Sequence, residues 1–144
     1  MMRDDVVVLD IGGVLMELGG MSNLLAWTGL SPETLKSRWL GSETVRAFET
    51  GTTTFDAFAP RIIQEFALPI DERALADEMR GWMGRVHDGA TEVVDALSER
   101  CEVAFLCNLN ALMWPTVVNT LAPYRWTERC FVSHEVGLIK PDPE

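Results

Sequence analysis

Apolar and polar positions follow two rhythms along the 144-residue chain. Near the N-terminus, Val6-Val7-Val8-Leu9 is an unbroken apolar run closed by Asp10. Such a run predicts a strand buried on both faces, as in a parallel sheet. Ile11-Gly12-Gly13 follows, and its two glycines permit close approach of a ligand to the main chain. From about Gly19 to His87 the rhythm is helical. Ser31-Pro32-Glu33 reads as a helix cap, a first-turn proline and an acid at the positive end of the dipole. Phe55, Phe58, Ala59, Ile62, Ile63 and Phe66 form one apolar stripe that Thr54 caps. Pro60 lies inside that stripe and predicts a kink or break near Ala59. After Leu68-Pro69, Asp71 caps a further helix from Glu72 to about Met83.

A helix carrying Val93, Val94 and Leu97 comes next. A strand at 102–107, a helix around Ala111–Leu121 and a short strand near Cys130–Ser133 complete the pattern, before a loop at Gly137–Pro141. Strands alternating with helices predict an α/β fold with a parallel sheet and right-handed crossovers. The helical block between the first two strands is too long for one crossover, so it should form a lid or cap.

Composition narrows the partners. Lys and Arg number 12 against 22 Asp and Glu, a net charge of −10. No basic excess exists to neutralise phosphates, which speaks against a nucleic-acid partner. No apolar run approaches the ~20 residues of a membrane span. Met1-Met2-Arg3-Asp4-Asp5 carries acids where a leader peptide carries basic charge, so the cytoplasm is the expected compartment. Cys101, Cys107 and Cys130 form no paired framework and are expected as free thiols.

In open parallel sheets, ligands bind beyond the carboxyl ends of the strands. The first strand delivers Asp10 there, the second Cys107-Asn108, and the third leads by a loop to Lys140. A carboxylate, a small donor, an amide and a lysine on one edge suit covalent attack by a carboxylate on a phosphoryl group or an activated carbon. The lysine would neutralise charge, and backbone N–H groups near Gly12 and Gly13 would hold the transferred group.

These segments resemble the motifs of the haloacid dehalogenase (HAD) superfamily. Val6–Leu15 is similar to its first motif, with Asp10 in the nucleophile position. Phe105–Asn110 is similar to the second, and Ser133–Glu144, with Gly137-Leu138-Ile139-Lys140-Pro141, to the third. Glu49-Thr50-Gly51 followed by Phe55 resembles a recurring piece of the family's helical cap. The first motif looks most like that of the bacterial α-D-glucose-1-phosphate phosphatase group. The resemblance implies a Rossmann-like core from residues 1–17 and 88–144, with a cap at 18–87. It implies that Asp10 forms an aspartyl-phosphate, that Lys140 orients and neutralises Asp10, and that Cys107 and Asn108 lie against the phosphoryl group. It also implies Mg2+ held by Asp10 and the Gly12 carbonyl, and a small phosphate ester as substrate.

Three departures shape the expectations. Gly12 stands where the family usually has an acid, Cys107 replaces a hydroxyl residue, and no fourth motif with further metal-binding acids follows, so the core is expected to be incomplete. A metal-independent 2-haloacid dehalogenase is therefore a second reading. A catalytically silent assembly module, pairing with another copy through the bare edge of Val6–Leu9, is a third. Free cysteine behaves as a small hydrophobe, so Cys107 is expected to be buried rather than reactive. Asn108 and Asn110 also suit helix capping. His87 and His134 lack a partner pattern. Trp27, Trp39 and Trp82 fall in the cap, where one can line a cleft.

Overall fold

The computed structural model describes residues 5–142. Met1–Asp4, read above as unlike a leader, and Pro143-Glu144 of the third motif lie outside them. Strand β1 (Val6–Leu9) leads through Asp10 and a Gly12-Gly13 turn to β2 (Met16–Leu18). Five helices follow: α1 (Met21–Thr28), α2 (Pro32–Leu40), α3 (Glu43–Glu49), α4 (Phe55–Phe66) and α5 (Glu72–Arg80). Strand β3 (Met83–Val86) returns antiparallel to β2. Helix α6 (Ala90–Ser98), β4 (Glu102–Cys107), α7 (Trp114–Leu121), β5 (Cys130–Val132) and α8 (Ser133–Val136) complete the order. The main sheet runs β1-β4-β5, all parallel. This is the expected α/β architecture.

The helical caps form where the sequence places them. Ser31, Thr54 and Asp71 accept from Thr34, Ala57 and Ala74 N–H, each satisfying a helix-start donor. Helix α4 runs unbroken through Pro60, so the predicted break does not occur. The carbonyl that loses its partner belongs to Asp56; both residues are exposed, and water can satisfy it. Phe48 and Phe58 stack at 4.3 Å and join α3 to α4, while Trp39 meets Phe66 and Trp82 edge-on or tilted at 5.7 and 5.4 Å.

Three further expectations are corrected. Helix α5 ends at Arg80, not Met83: Met83–Val86 instead pairs with Met16–Leu18. Helix α7 begins at Trp114, after a turn held by Asn110, whose side chain accepts from Leu112 and Met113 N–H. Strand β1 is not buried on both faces. Val7 and Leu9 turn toward the core, whereas Val6 and Val8 are each 55% exposed. The registers Val8↔Ala104 and Leu106↔Phe131 put these residues on one sheet face, and Leu106 and Phe131 are exposed too. The opposite face is dry: Val103, Phe105, Cys107 and Val132 are buried, with Trp126 stacked on Phe105.

The helical block is tied to the sheet at its far side. Gly51, with φ +72°, follows α3, and a β-carbon there would stand 2.1 Å from the His134 carbonyl oxygen. The missing side chain lets the end of α3 rest directly on α8. Arg46 of α3 pairs with Asp142 beyond it.

Candidate functional site

Asp10 leaves the end of β1 with both oxygens held. Its Oδ1 accepts from Ile11 N–H at 2.7 Å, and its Oδ2 pairs with Lys140 Nζ at 2.8 Å. Lys140 also donates to the Leu106 carbonyl at 2.7 Å. The ammonium is thus aimed by a strand end, 34 residues back in the chain. Asn108 places the lysine: its amide donates to the Lys140 carbonyl and accepts from the Lys140 N–H, both at 2.9 Å. Asn108 therefore clamps the loop instead of capping a helix.

A second clamp lies beneath. Ser133, buried, accepts from Leu109 N–H at 2.9 Å and donates to the Leu109 carbonyl at 3.0 Å. His134 Nδ1 bonds the same carbonyl at 2.8 Å, which assigns its proton to Nδ1. His134 and Ser133 both brace the backbone of Leu109, and the sequence reading left Ser133 among its neighbours in the third motif. Its signal was a hydroxyl directly after an apolar strand.

Cys107 ends β4 buried beside Asp10. Burial above all pushes its thiol up to about 11, against the lowering effect of the nearby Gly12 backbone. It stays protonated at neutral pH and is a small buried residue, not a nucleophile. Gly13, at φ +77°, turns the chain after Asp10, and Gly12 faces the cleft.

The cleft has a volume of about 310 Å³, suited to a small molecule. Asp10, Gly12, Cys107, Asn108 and Lys140 form its floor, and Gly13 lies just outside it. Its roof comes from the helical block and the β2–β3 ribbon, with Lys36, Trp39, Glu49 and Trp82 among the lining residues. Trp39 and Trp82 both reach it, whereas Trp27 does not. Glu49 was read only as part of a cap motif, and Lys36 was not singled out. A wider depression of about 740 Å³ lies at the other end of β4, near Glu102. Its Arg125 and Arg129 are paired with Glu128 and Glu102, and no residue of the Asp10 site lines it.

No family model matches the sequence, and no curated protein does. Solved structures do match. The HAD family enzyme BT-2542 from Bacteroides thetaiotaomicron, in its magnesium complex, superposes with a TM-score of 0.71 over 97% of this chain and 72% of its own, at 19% identity. The fold is that of the HAD hydrolases. The same enzyme in complex with magnesium and inorganic phosphate gives 0.71, at 19% identity over 97% of this chain and 74% of that one. A predicted HAD-like family hydrolase from Porphyromonas gingivalis gives 0.67, at 16% identity over 97% and 71%. In the HAD-like fold of this chain, Asp10, Asn108 and Lys140 meet at the carboxyl edge of the sheet.

Magnesium must be judged on the donors present. Among the described residues no group of three or more His, Cys, Asp or Glu side chains is placed to hold a metal ion. Asp142, two residues before the end of the third motif, is engaged by Arg46. Asp10 and the Gly12 carbonyl remain. One carboxylate and one carbonyl would fit magnesium only as a largely hydrated ion, a mode this cation accepts. Among the described residues no helix is long and apolar enough to cross a membrane.

Proposed function

We propose that this chain is a HAD-type hydrolase that releases phosphate from a small phosphate ester through an aspartyl-phosphate on Asp10. The observation that carries the reading is the Asp10–Lys140 pair, joined across 130 residues at the floor of a small cleft. An Asp10 oxygen attacks phosphorus as the bond to the leaving oxygen breaks, and water then attacks the aspartyl-phosphate. Lys140 keeps the nucleophile oriented and offsets the charge that builds on the transferred group. Asn108 holds Lys140 at the required position. Asp10 and the Gly12 carbonyl would hold Mg2+, which would supply positive charge to the phosphoryl oxygens. The block at 18–87 acts as a cap that shields the reaction from water.

The test is release of inorganic phosphate from a panel of small phosphate esters in the presence of Mg2+. Release should fall to background with a chelator and return with excess Mg2+. Release that ignores the chelator would count against the metal-assisted reading. Chelator-insensitive halide release from 2-haloacids would point to carbon–halogen hydrolysis instead.

The bare sheet face favours a second reading, an assembly module that pairs with a second copy. Val6, Val8, Leu106 and Phe131 form an exposed apolar stripe across three strands, beside β1, which is the edge strand of the sheet among the described residues, and such an edge is a template for another chain. Light scattering should then report a dimer or larger that Val8→Lys returns to the monomer. A monomer at all concentrations would remove this reading.

A further inference from the structure

We infer that Glu49 is the general acid of the proposed reaction: it gives its proton to the leaving-group oxygen and then takes one from the attacking water. The role rests on the phosphatase reading above and adds to it the group that the floor of the site lacks. An alkoxide leaves phosphorus slowly unless it is protonated as the bond breaks. Among the described residues lining the cleft, only Asp10 and Glu49 carry carboxyl groups. Asp10 is the nucleophile, with its oxygens on Ile11 and Lys140. The Cys107 thiol, pushed up to about 11, holds its proton too tightly to serve.

Glu49 has the placement and the environment for the task. It is the last residue of α3 and lines the same cleft as Asp10, and Gly51 seats that end of the helix on α8. It is half-buried, so part of the side chain faces the cleft. Burial raises its pKa from 4.5 to about 7, partly offset by the Trp39 indole. The other charged or titratable groups of the cleft are Lys36 on α2, Asp10 and Cys107 at the sheet edge, and Lys140 on its loop. Arg46, on Glu49's own helix, is occupied by Asp142. A carboxyl poised near neutrality can both lose and regain a proton in one cycle.

The atoms balance in two steps. Asp10 Oδ bonds to phosphorus, the bond to the leaving oxygen breaks with its electron pair on that oxygen, and the Glu49 proton moves to it. Water oxygen then bonds to phosphorus, its proton goes to Glu49, and the Asp10–phosphorus bond breaks. Alcohol and phosphate leave, and both side chains are restored.

Leaving-group dependence provides the test. With glycerol phosphate, Glu49→Gln should lower kcat by about 10²-fold or more, the usual scale of general acid catalysis. With p-nitrophenyl phosphate, whose leaving group needs no proton, the variant should release the first equivalent of p-nitrophenol as fast as the unchanged chain, and only the later hydrolysis of the aspartyl-phosphate, which uses Glu49 as base, should slow. The high-pH fall of kcat near 7 for glycerol phosphate should also vanish. Equal losses in the first-turnover rate of alcohol release on both esters, or none on either, would overturn the role. Failure of the unchanged chain to release phosphate from either ester would instead sink the phosphatase reading, and the role with it.

A second readout needs no turnover. Because the folded pKa lies above the unfolded value, the folded state holds more protons between pH 4.5 and 7, and stability falls as pH rises through that window. The thermal midpoint of Glu49→Gln should match the unchanged chain at pH 4.5 and exceed it above pH 7. Parallel curves would show that Glu49 does not titrate as required.

Discussion

Asp10→Asn should abolish phosphate release, lowering kcat by at least about 10³-fold while the chain stays folded. The amide has nearly the shape of the carboxylate, and its oxygen can keep the bond from Ile11 N–H. What it loses is nucleophilic charge. Its NH2 also turns a donor toward Lys140 Nζ, where the carboxylate oxygen accepted at 2.8 Å. That pair is about a third exposed on the lysine side, so its loss should cost only about 1 kcal/mol of stability. Phosphate release and the thermal midpoint, measured together, separate the two effects. A variant that keeps a tenth of the rate would show that Asp10 is not the nucleophile. A variant that unfolds would show that the pair is chiefly structural.

The largest effect on stability is expected at Gly51. Gly51→Ala should cost about 2–4 kcal/mol, because two penalties coincide. The backbone is left-handed there, which alone disfavours alanine by about 1–2 kcal/mol. The new β-carbon would also stand 2.1 Å from the His134 carbonyl oxygen, a backbone atom held by α8. Gly29 supplies the control. It too is left-handed, at φ +65°, but a β-carbon there meets nothing within 4 Å. Gly29→Ala should therefore cost about 1 kcal/mol, the backbone share alone. Denaturant unfolding of both variants isolates the contact between α3 and α8. Equal losses at the two sites would show that the contact carries no weight. If the contact matters, Gly51→Ala should also impair turnover, because the same helix end carries Glu49.

Local patterns were legible where the governing interactions are local. Ser31, Thr54 and Asp71 cap their helices because the cap bond spans only three residues. The stripe from Phe55 to Phe66 forms its helix because each apolar residue meets the next within one turn. Asp10, Asn108 and Lys140 were legible as a group for another reason. Each stands just past a strand end, and parallel strands bring such ends to one edge.

Three of the misreadings concern partners far away in the chain. Met79, Trp82 and Met83 continue the apolar spacing of α5, so a helix to Met83 is the locally consistent choice. Pairing with Met16–Leu18, more than sixty residues earlier, makes Met83–Val86 a strand instead. The run Val6–Leu9 has the composition of a strand covered twice, yet the registers leave Val6 and Val8 on an open face. Asn108 had the chemistry of a helix cap, but the Lys140 loop lay close enough to take both ends of its amide.

By itself, then, the sequence determined the α/β order, the helical insertion and the three residues that meet at the sheet edge. Hydrophobic periodicity, cap chemistry and strand alternation act over short spans and are written in consecutive residues. Tertiary structure alone decided the β2–β3 ribbon, the double hold on Lys140, the contact of Gly51 with α8 and the entry of Glu49 into the cleft. Each depends on which distant surfaces meet, and burial changes the chemistry once they do. Glu49 shows the difference most clearly: an ordinary acid in the chain, it titrates near neutrality because folding removes much of its water.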